Sequence, residues 1–223
     1  MGSNYISPLN GSVERKAVRY RNRYGLTVSG DLYVPKNLDM TARHPALIVG
    51  APYGGVKEQG PCVYADELAQ RGFIVLTFDQ SFMGESEGEP RNISSPDIFT
   101  ENFSAAVDYL GCLSYVDRER IGVIGICGSG GFALSAAQAD TRIRAVAAVS
   151  MYDMSAAARL GMDKAAVQAA KERIAQQRWA DAENGYPEYI PYFPEEPLDR
   201  VPEELEEPTA EWFRFYALGR GHH

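Results

Sequence analysis

The chain has 223 residues, 45% of them hydrophobic and 23% charged, which is enough to bury one good core with an appended lid and excludes disorder throughout. Its formal net charge of −8 and pI of about 5.0 argue against a phosphate-tracking surface, and so against nucleic acid as a partner. Three widely spaced cysteines (Cys62, Cys112, Cys127) with no Cys-x-x-Cys fit a reducing compartment, and neither a disulfide framework, a metal nor another cofactor is expected.

Residues 1–8 lack both a basic and an apolar region, and no run approaches the ~20 apolar residues of a membrane span. A cytoplasmic protein without a membrane partner is the expectation. Residues 13–20 and 26–35 are half-polar and partly alternating, separated by Asn22-Arg23-Tyr24-Gly25, and read as an antiparallel hairpin at a sheet edge. Residues 45–52 are almost continuously apolar, as in a strand buried on both faces. A helix follows over 57–71, with Val63, Tyr64, Leu68 and Ala69 at mainly helical spacing and a stop at Arg71-Gly72. Residues 73–78 form the next buried strand, 79–90 a Gly/Glu/Ser-rich loop, and 96–113 a helix with Phe99, Phe103, Ala106, Val107 and Leu110 on one face.

Residues 121–131 then read Ile-Gly-Val-Ile-Gly-Ile-Cys-Gly-Ser-Gly-Gly. The β-branched run predicts a buried strand, and an Ala-rich helix is predicted to begin after the last glycine, over 132–139. Another parallel-type strand is expected over 143–150, and strand alternating with helix is the pattern of a doubly wound sheet. Residues 155–179, rich in Ala, Gln, Lys and Arg, read as one further helix with Val167, Ala170 and Ile174 as a modest stripe. Residues 181–211 hold eleven acidic residues, one basic residue and six prolines, with Tyr186, Tyr189, Tyr192 and Phe193 interleaved. That run reads as a Pro-stiffened excursion, or as a lid (183–208) whose aromatics line a substrate entrance, with the aromatic segment 212–218 anchoring its far end.

Cys127 sits between strand and helix in Gly125-Ile-Cys127-Gly-Ser-Gly130, a setting like the Gly-x-nucleophile-x-Gly elbow with Ser129 at the last position, where small neighbours permit a tight turn that exposes a nucleophile above the sheet. The positive end of the helix dipole favours the thiolate, the form that attacks carbonyl carbon. A structural cysteine and a loose Gly-x-Gly-x-x-Ala nucleotide loop over 128–133 are the alternatives. Acyl transfer needs donors for a tetrahedral oxyanion: the Gly128 amide is one, and Tyr53 or Gly54, in Ala51-Pro52-Tyr53-Gly54-Gly55, is the second. The general base is harder to place. His44 precedes the nucleophile at a strand start, whereas His222 and His223 end the chain, as native residues or as a tag remnant. Asp153, just past a strand end, is the candidate orienting acid and His222 the candidate base.

The elbow Gly125-Ile-Cys-Gly-Ser-Gly-Gly131 resembles that of the dienelactone-hydrolase-like bacterial enzymes within the α/β-hydrolase superfamily. So do Pro52-Tyr-Gly-Gly-Val-Lys-Glu-Gln59, Phe78-Asp-Gln-Ser-Phe-Met-Gly-Glu-Ser86, Glu89-Pro-Arg91 and Ser150-Met-Tyr-Asp-Met154. The resemblance implies hydrolysis of an ester, thioester or lactone, with Cys127 as nucleophile and the Tyr53 and Gly128 amides as the oxyanion hole. It also implies two further strands bearing the acid and the histidine, and nothing in residues 155–223 reads as such a pair. An elbow resembling that of the class I glutamine amidotransferases lacks the His-x-Glu pair that family needs, and a binding or assembly protein on a hydrolase scaffold is the main alternative class.

The reading is therefore an α/β fold, a doubly wound, mostly parallel sheet of α/β-hydrolase type with an N-terminal antiparallel hairpin and a C-terminal helical, Pro-rich, lid-like segment. Residues 1–154 form the core and 155–223 the lid-like insertion or extension. The partner is a small-molecule substrate. The 143–150 strand is expected to have an open edge, or one paired by a second copy or another chain.

Overall fold

The computed structural model describes residues 5–190, 197–207, 209–218 and 221. They form two compact units, one reaching Tyr152 and one starting at Asp153. The first holds six strands, β1 (Val13–Arg21), β2 (Thr27–Pro35), β3 (His44–Gly50), β4 (Ile74–Phe78), β5 (Val116–Ile126) and β6 (Ile143–Val149), and the helices α1 (Gly60–Ala69), α2 (Pro96–Gly111) and α3 (Gly128–Ala139). The second holds α4 (Met154–Ala157), α5 (Lys164–Asn184) and α6 (Thr209–Tyr216).

One sheet runs in the order β1-β2-β4-β3-β5-β6. The β1–β2 hairpin is antiparallel and joins β4 antiparallel, while β4, β3, β5 and β6 are mutually parallel. Successive residues of a strand face opposite sides, so Leu32, Ile48, Leu76 and Val123 pack beneath α2 and α3, and Tyr33, Val49 and Val75 pack beneath α1. Helices thus cover both faces. Because α1 leads from β3 to β4 on one side and α2 leads on to β5 on the other, the chain switches direction between β3 and β5. The crevice beyond the carboxyl ends of those two strands is where ligands bind in such sheets.

Several elements differ from the sequence expectation. Helix α3 begins at Gly128, directly after Cys127, and not after Gly131: Gly128 and Gly130, poor in helix propensity, stand in its first turn because a Cβ on them would meet Tyr53 and Met151 at 2.8 Å. The single helix expected over 155–179 is two. Asp153 caps α4 by accepting from the amides of Ser155 and Ala156, the chain turns through Gly161 at φ +74°, and Asp163 accepts from the Ala166 amide to start α5. Helix α5 then runs on to Asn184 and ends at Gly185, left-handed at φ +78°. Lastly, the aromatic segment is helical, as α6. The lid reading of 183–208 includes residues 191–196 and 208, which lie outside the described residues. Among the described residues β6 pairs with β5 and stands last in the sheet order, with Arg144, Ala145, Ala147 and Ala148 exposed.

Candidate active site

The register brings the site together at one level. Gly50 of β3 lies opposite Phe78 of β4 and Gly125 of β5, so the loop after β3, the loop after β4 and Cys127 all leave the sheet at the same rim. Cys127 turns there with φ +53° and ψ −119°, a conformation costing a non-glycine residue on the order of 1–3 kcal/mol. It is held by three backbone bonds: its N–H donates to Val149 O (2.9 Å), and its carbonyl accepts from the amides of Gly130 (3.0 Å) and Tyr152 (3.3 Å). Its side chain is half-buried.

The neighbouring glycines are sites of contact. A Cβ on Gly125 would meet Ser129 O at 2.3 Å, so no other residue lets α3 fold back so tightly on β5. A Cβ on Gly128 would meet Tyr53 Cβ at 2.8 Å and Tyr53 N at 3.4 Å. The structure therefore brings together Cys127, Gly128 and Tyr53. As the first residue of α3, Gly128 has an N–H with no acceptor within the helix. The Tyr53 side chain joins an apolar group with Phe82, Met83, Phe99 and Phe132 beside this turn.

Of the other sequence candidates, His44 falls elsewhere. His44 opens β3 and its Nε2 lies 2.7 Å from Asp39 O, at the end of the strand opposite Gly50. Six residues at about 3.3 Å each place it some ~20 Å from the Cys127 rim. Asp153 is engaged as the α4 cap, and the amides of Ala156 and Ser155, with the Ser155 side chain, hold its carboxyl below the usual carboxylate range. His222 and His223 lie outside the described residues. Cys62 is buried and burial pushes its thiol up, and Cys112 is exposed at the end of α2.

Sequence reasoning missed a charged cluster at this rim. Lys57, only 1% exposed, directs its ammonium to Asp79 (3.1 Å), Glu85 (2.9 Å) and Glu58 (2.5 Å), and its backbone N–H to Asp79 Oδ1 (2.8 Å). Burial alone would lower the Lys57 pKa, but the carboxylates of Asp79, Glu58 and Glu85 outweigh it and raise it above the usual lysine range. Burial pushes the carboxyl of Asp79 up, against the pull of Lys57 and of the Glu85 and Lys57 amides. The signal in the sequence was a charged residue directly after an apolar strand, Phe78-Asp79, facing a lysine that opened a predicted helix. Among the described residues no group of His, Cys, Asp and Glu is gathered to hold a metal, and no helix is long and apolar enough to cross a membrane.

A mostly parallel sheet with a reversal between β3 and β5, and a strained strand-to-helix turn at that reversal, define an α/β-hydrolase fold. The chain belongs to the X-Pro dipeptidyl-peptidase (S15) family, whose model matches residues 25–186. It is 45% identical to PA2218, an uncharacterized protein of Pseudomonas aeruginosa, over 97% of this chain and 58% of that protein. The crystal structure of PA2218 matches with a TM-score of 0.90 at 44% identity, over 98% of this chain and 68% of that one. It is also 35% identical to the thiohydrolase AneE of Aspergillus aculeatus, over 56% of this chain and 38% of that protein. The dienelactone hydrolase-like promiscuous phosphotriesterase P91, from metagenomic libraries, shares the fold: 16% identity, TM-score 0.54, covering 75% of this chain and 79% of that one. The chain thus spans 58% of PA2218 and 38% of AneE.

Proposed function

We propose that this chain takes part in hydrolysing an ester, thioester or lactone of a small organic acid through Cys127. The observation that carries the reading is the contact of Gly128 with Tyr53 beside the strained Cys127 turn. The Cys127 sulfur bonds to the carbonyl carbon, and the resulting oxyanion is held by the Gly128 and Tyr53 amides. The bond to the leaving alcohol or thiol then breaks, the leaving group taking the proton, and water releases the acid from the acyl-cysteine. The relative named a thiohydrolase supports a thioester among the substrates. Asp153 as acid and His222 as base complete this reading.

The test is mass spectrometry of the chain after exposure to 4-nitrophenyl acetate. Acetylation is expected on Cys127, and Cys127→Ala should lower nitrophenol release by about a thousandfold or more. A residual rate within about tenfold of the parent refutes the nucleophile. One observation favours a second reading, a binding or assembly protein on the same scaffold: His44, the one histidine among the described residues, lies at the opposite end of β3. A parent chain that never acetylates at Cys127 is the outcome which supports that reading.

A further inference from the structure

Lys57 and Asp79 are an expensive way to hold a loop. Each charge taken out of water costs several kcal/mol, and well-packed apolar residues of similar volume stabilise a fold equally well or better. Both are buried, with Lys57 1% and Asp79 0% exposed. The pair stands at one place: Asp79 is the first residue past β4, and Lys57 ends the turn that follows β3 and carries Tyr53.

The connections run in both directions from this pair. Towards Tyr53, the Gly55 amide donates to Pro52 O (2.8 Å), and the Val56 amide donates to Gln59 Oε1 (2.9 Å). A Cβ on Gly55 would lie 2.9 Å from that same Gln59 oxygen, so the turn has no slack. Towards the sheet, Asp79 Oδ2 accepts from the Glu85 amide (3.0 Å), and the Ser86 hydroxyl donates to Asp79 O (2.8 Å). Ser86 Oγ in turn accepts from the Ser29 amide of β2 (2.9 Å). Gly84 passes so close that a Cβ there would sit 2.4 Å from Asp79 Oδ2. The Tyr53 loop is thereby tied through Lys57 to a rigid knot on β4 and β2. Asp79 stands at the end of β4, two places from β5 in the sheet and about 10 Å away, and the contact with Gly128 that the structure shows from this knot is made by the Lys57 loop through Tyr53.

We propose that Lys57 is a positioning residue: held by Asp79 and Glu85, it fixes the 51–59 loop so that the Tyr53 amide stays against Gly128 as the second oxyanion donor. This rests on the acyl-transfer reading above. The two roles of the Cys127 sulfur separate it from a merely structural lysine. With 4-nitrophenyl acetate the sulfur bonds to the acetyl carbon through a tetrahedral oxyanion, and the C–O bond breaks with its electrons on nitrophenolate. With iodoacetamide it bonds to a methylene carbon, iodide leaves, and no oxyanion forms. In both cases the thiol proton goes to the buffer.

The experiment measures both rates at Cys127 for the parent, Lys57→Met and the charge-neutral double variant Lys57→Met/Asp79→Asn. The double variant keeps the test sound where Lys57→Met alone fails to fold, since it removes the fully buried Asp79 carboxylate together with the ammonium that faces it. Acylation is expected to fall by about thirtyfold or more in a folded variant, approaching the ~100-fold cost of losing one oxyanion donor, while alkylation stays within about twofold. Equal falls in both rates, or acylation at the parent rate in a folded variant, overturn the role of Lys57 alone. A parent that alkylates at Cys127 but never acylates overturns the acyl-transfer reading, and the role of Lys57 with it.

Discussion

Replacing Gly128 by Ala asks whether the contact with Tyr53 matters to chemistry. The added methyl would sit 2.8 Å from Tyr53 Cβ, against an ordinary carbon–carbon separation of about 3.5–4.0 Å, so the loop or the helix start must retreat by about 1 Å. Overpacking of this kind costs about 1–3 kcal/mol. Ala in place of Gly within α3 returns up to about 1 kcal/mol of helix propensity, and the backbone of Gly128 is not in the left-handed region, so no strain is added. The net loss is about 0–3 kcal/mol, a fall of up to about 10 °C in Tm at roughly 2–4 °C per kcal/mol. Rate should respond far more, since a displacement of about 1 Å in a positioning group costs about 100-fold. Gly131→Ala is the control: nothing lies within 4 Å of its added methyl, and the same helix gains about 1 kcal/mol. Stopped-flow acylation by 4-nitrophenyl acetate, alongside thermal unfolding, measures both. Gly128→Ala should acylate about 100-fold more slowly than Gly131→Ala. Rates within about threefold of one another would mean that the Tyr53–Gly128 contact is not a donor pair, and would remove the main structural support for acyl transfer.

His44→Ala should acylate Cys127 at the parent rate, because this imidazole caps the far end of β3; a loss of about tenfold or more in a folded variant would show that it reaches the site. A pH effect is expected at the turn after α3. Arg142, bonding to Asp140 Oδ1 (2.8 Å) and Oδ2 (2.7 Å), holds that carboxyl below its usual range. A carboxyl depressed in the folded state contributes stability above its unfolded pKa of about 3.9 and loses that contribution as pH falls through the lower folded value. The Tm difference between the parent and Asp140→Asn should therefore be present near neutrality and vanish in strong acid, and a difference independent of pH refutes the assignment.

The sheet was legible where burial is two-sided. The apolar runs of β3 and β4 are buried on both faces, and β1 is half-exposed at the edge, but β2, which lies between β1 and β4, is buried along nearly all its length despite its polar residues. The first half of β5 was not visible: Asp117, Arg118, Glu119 and Arg120 form a polar stretch whose extended backbone no apolar period announces. Helix α1 was read as starting at Lys57, yet begins at Gly60, because residues 57–59 are spent on the Asp79 contacts and the Gln59 turn. The break between α4 and α5 at Gly161 was hidden by the strong helix formers on either side. At the site, the small residues around Cys127 announced a tight turn. What Gly128 touches, and that Lys57 is buried, depend on residues 75 and 22 positions away in sequence, beyond the reach of any local pattern.

The described site is a chain of close contacts in which the long side chains, Lys57 and Gln59, are both buried. Gly128 touches Tyr53; the Tyr53 turn closes on Pro52 and Gln59; Lys57 ties that turn to Asp79; and Asp79, through Ser86, is tied to Ser29 in β2. Neutral hydrogen bonds of this kind contribute about 1 kcal/mol each and could yield singly, but a buried ammonium facing a buried carboxylate has no low-energy alternative geometry. That makes the ion pair the stiff member of the series. An oxyanion donor is useful in proportion to how little it moves when charge develops, because pre-oriented dipoles spend nothing on reorganisation. If Cys127 is the nucleophile proposed above, the conformational strain there and the buried charge at Lys57 serve one end, holding sulfur and amides at fixed separation on a rim where four parallel strands and their loops leave the sheet together.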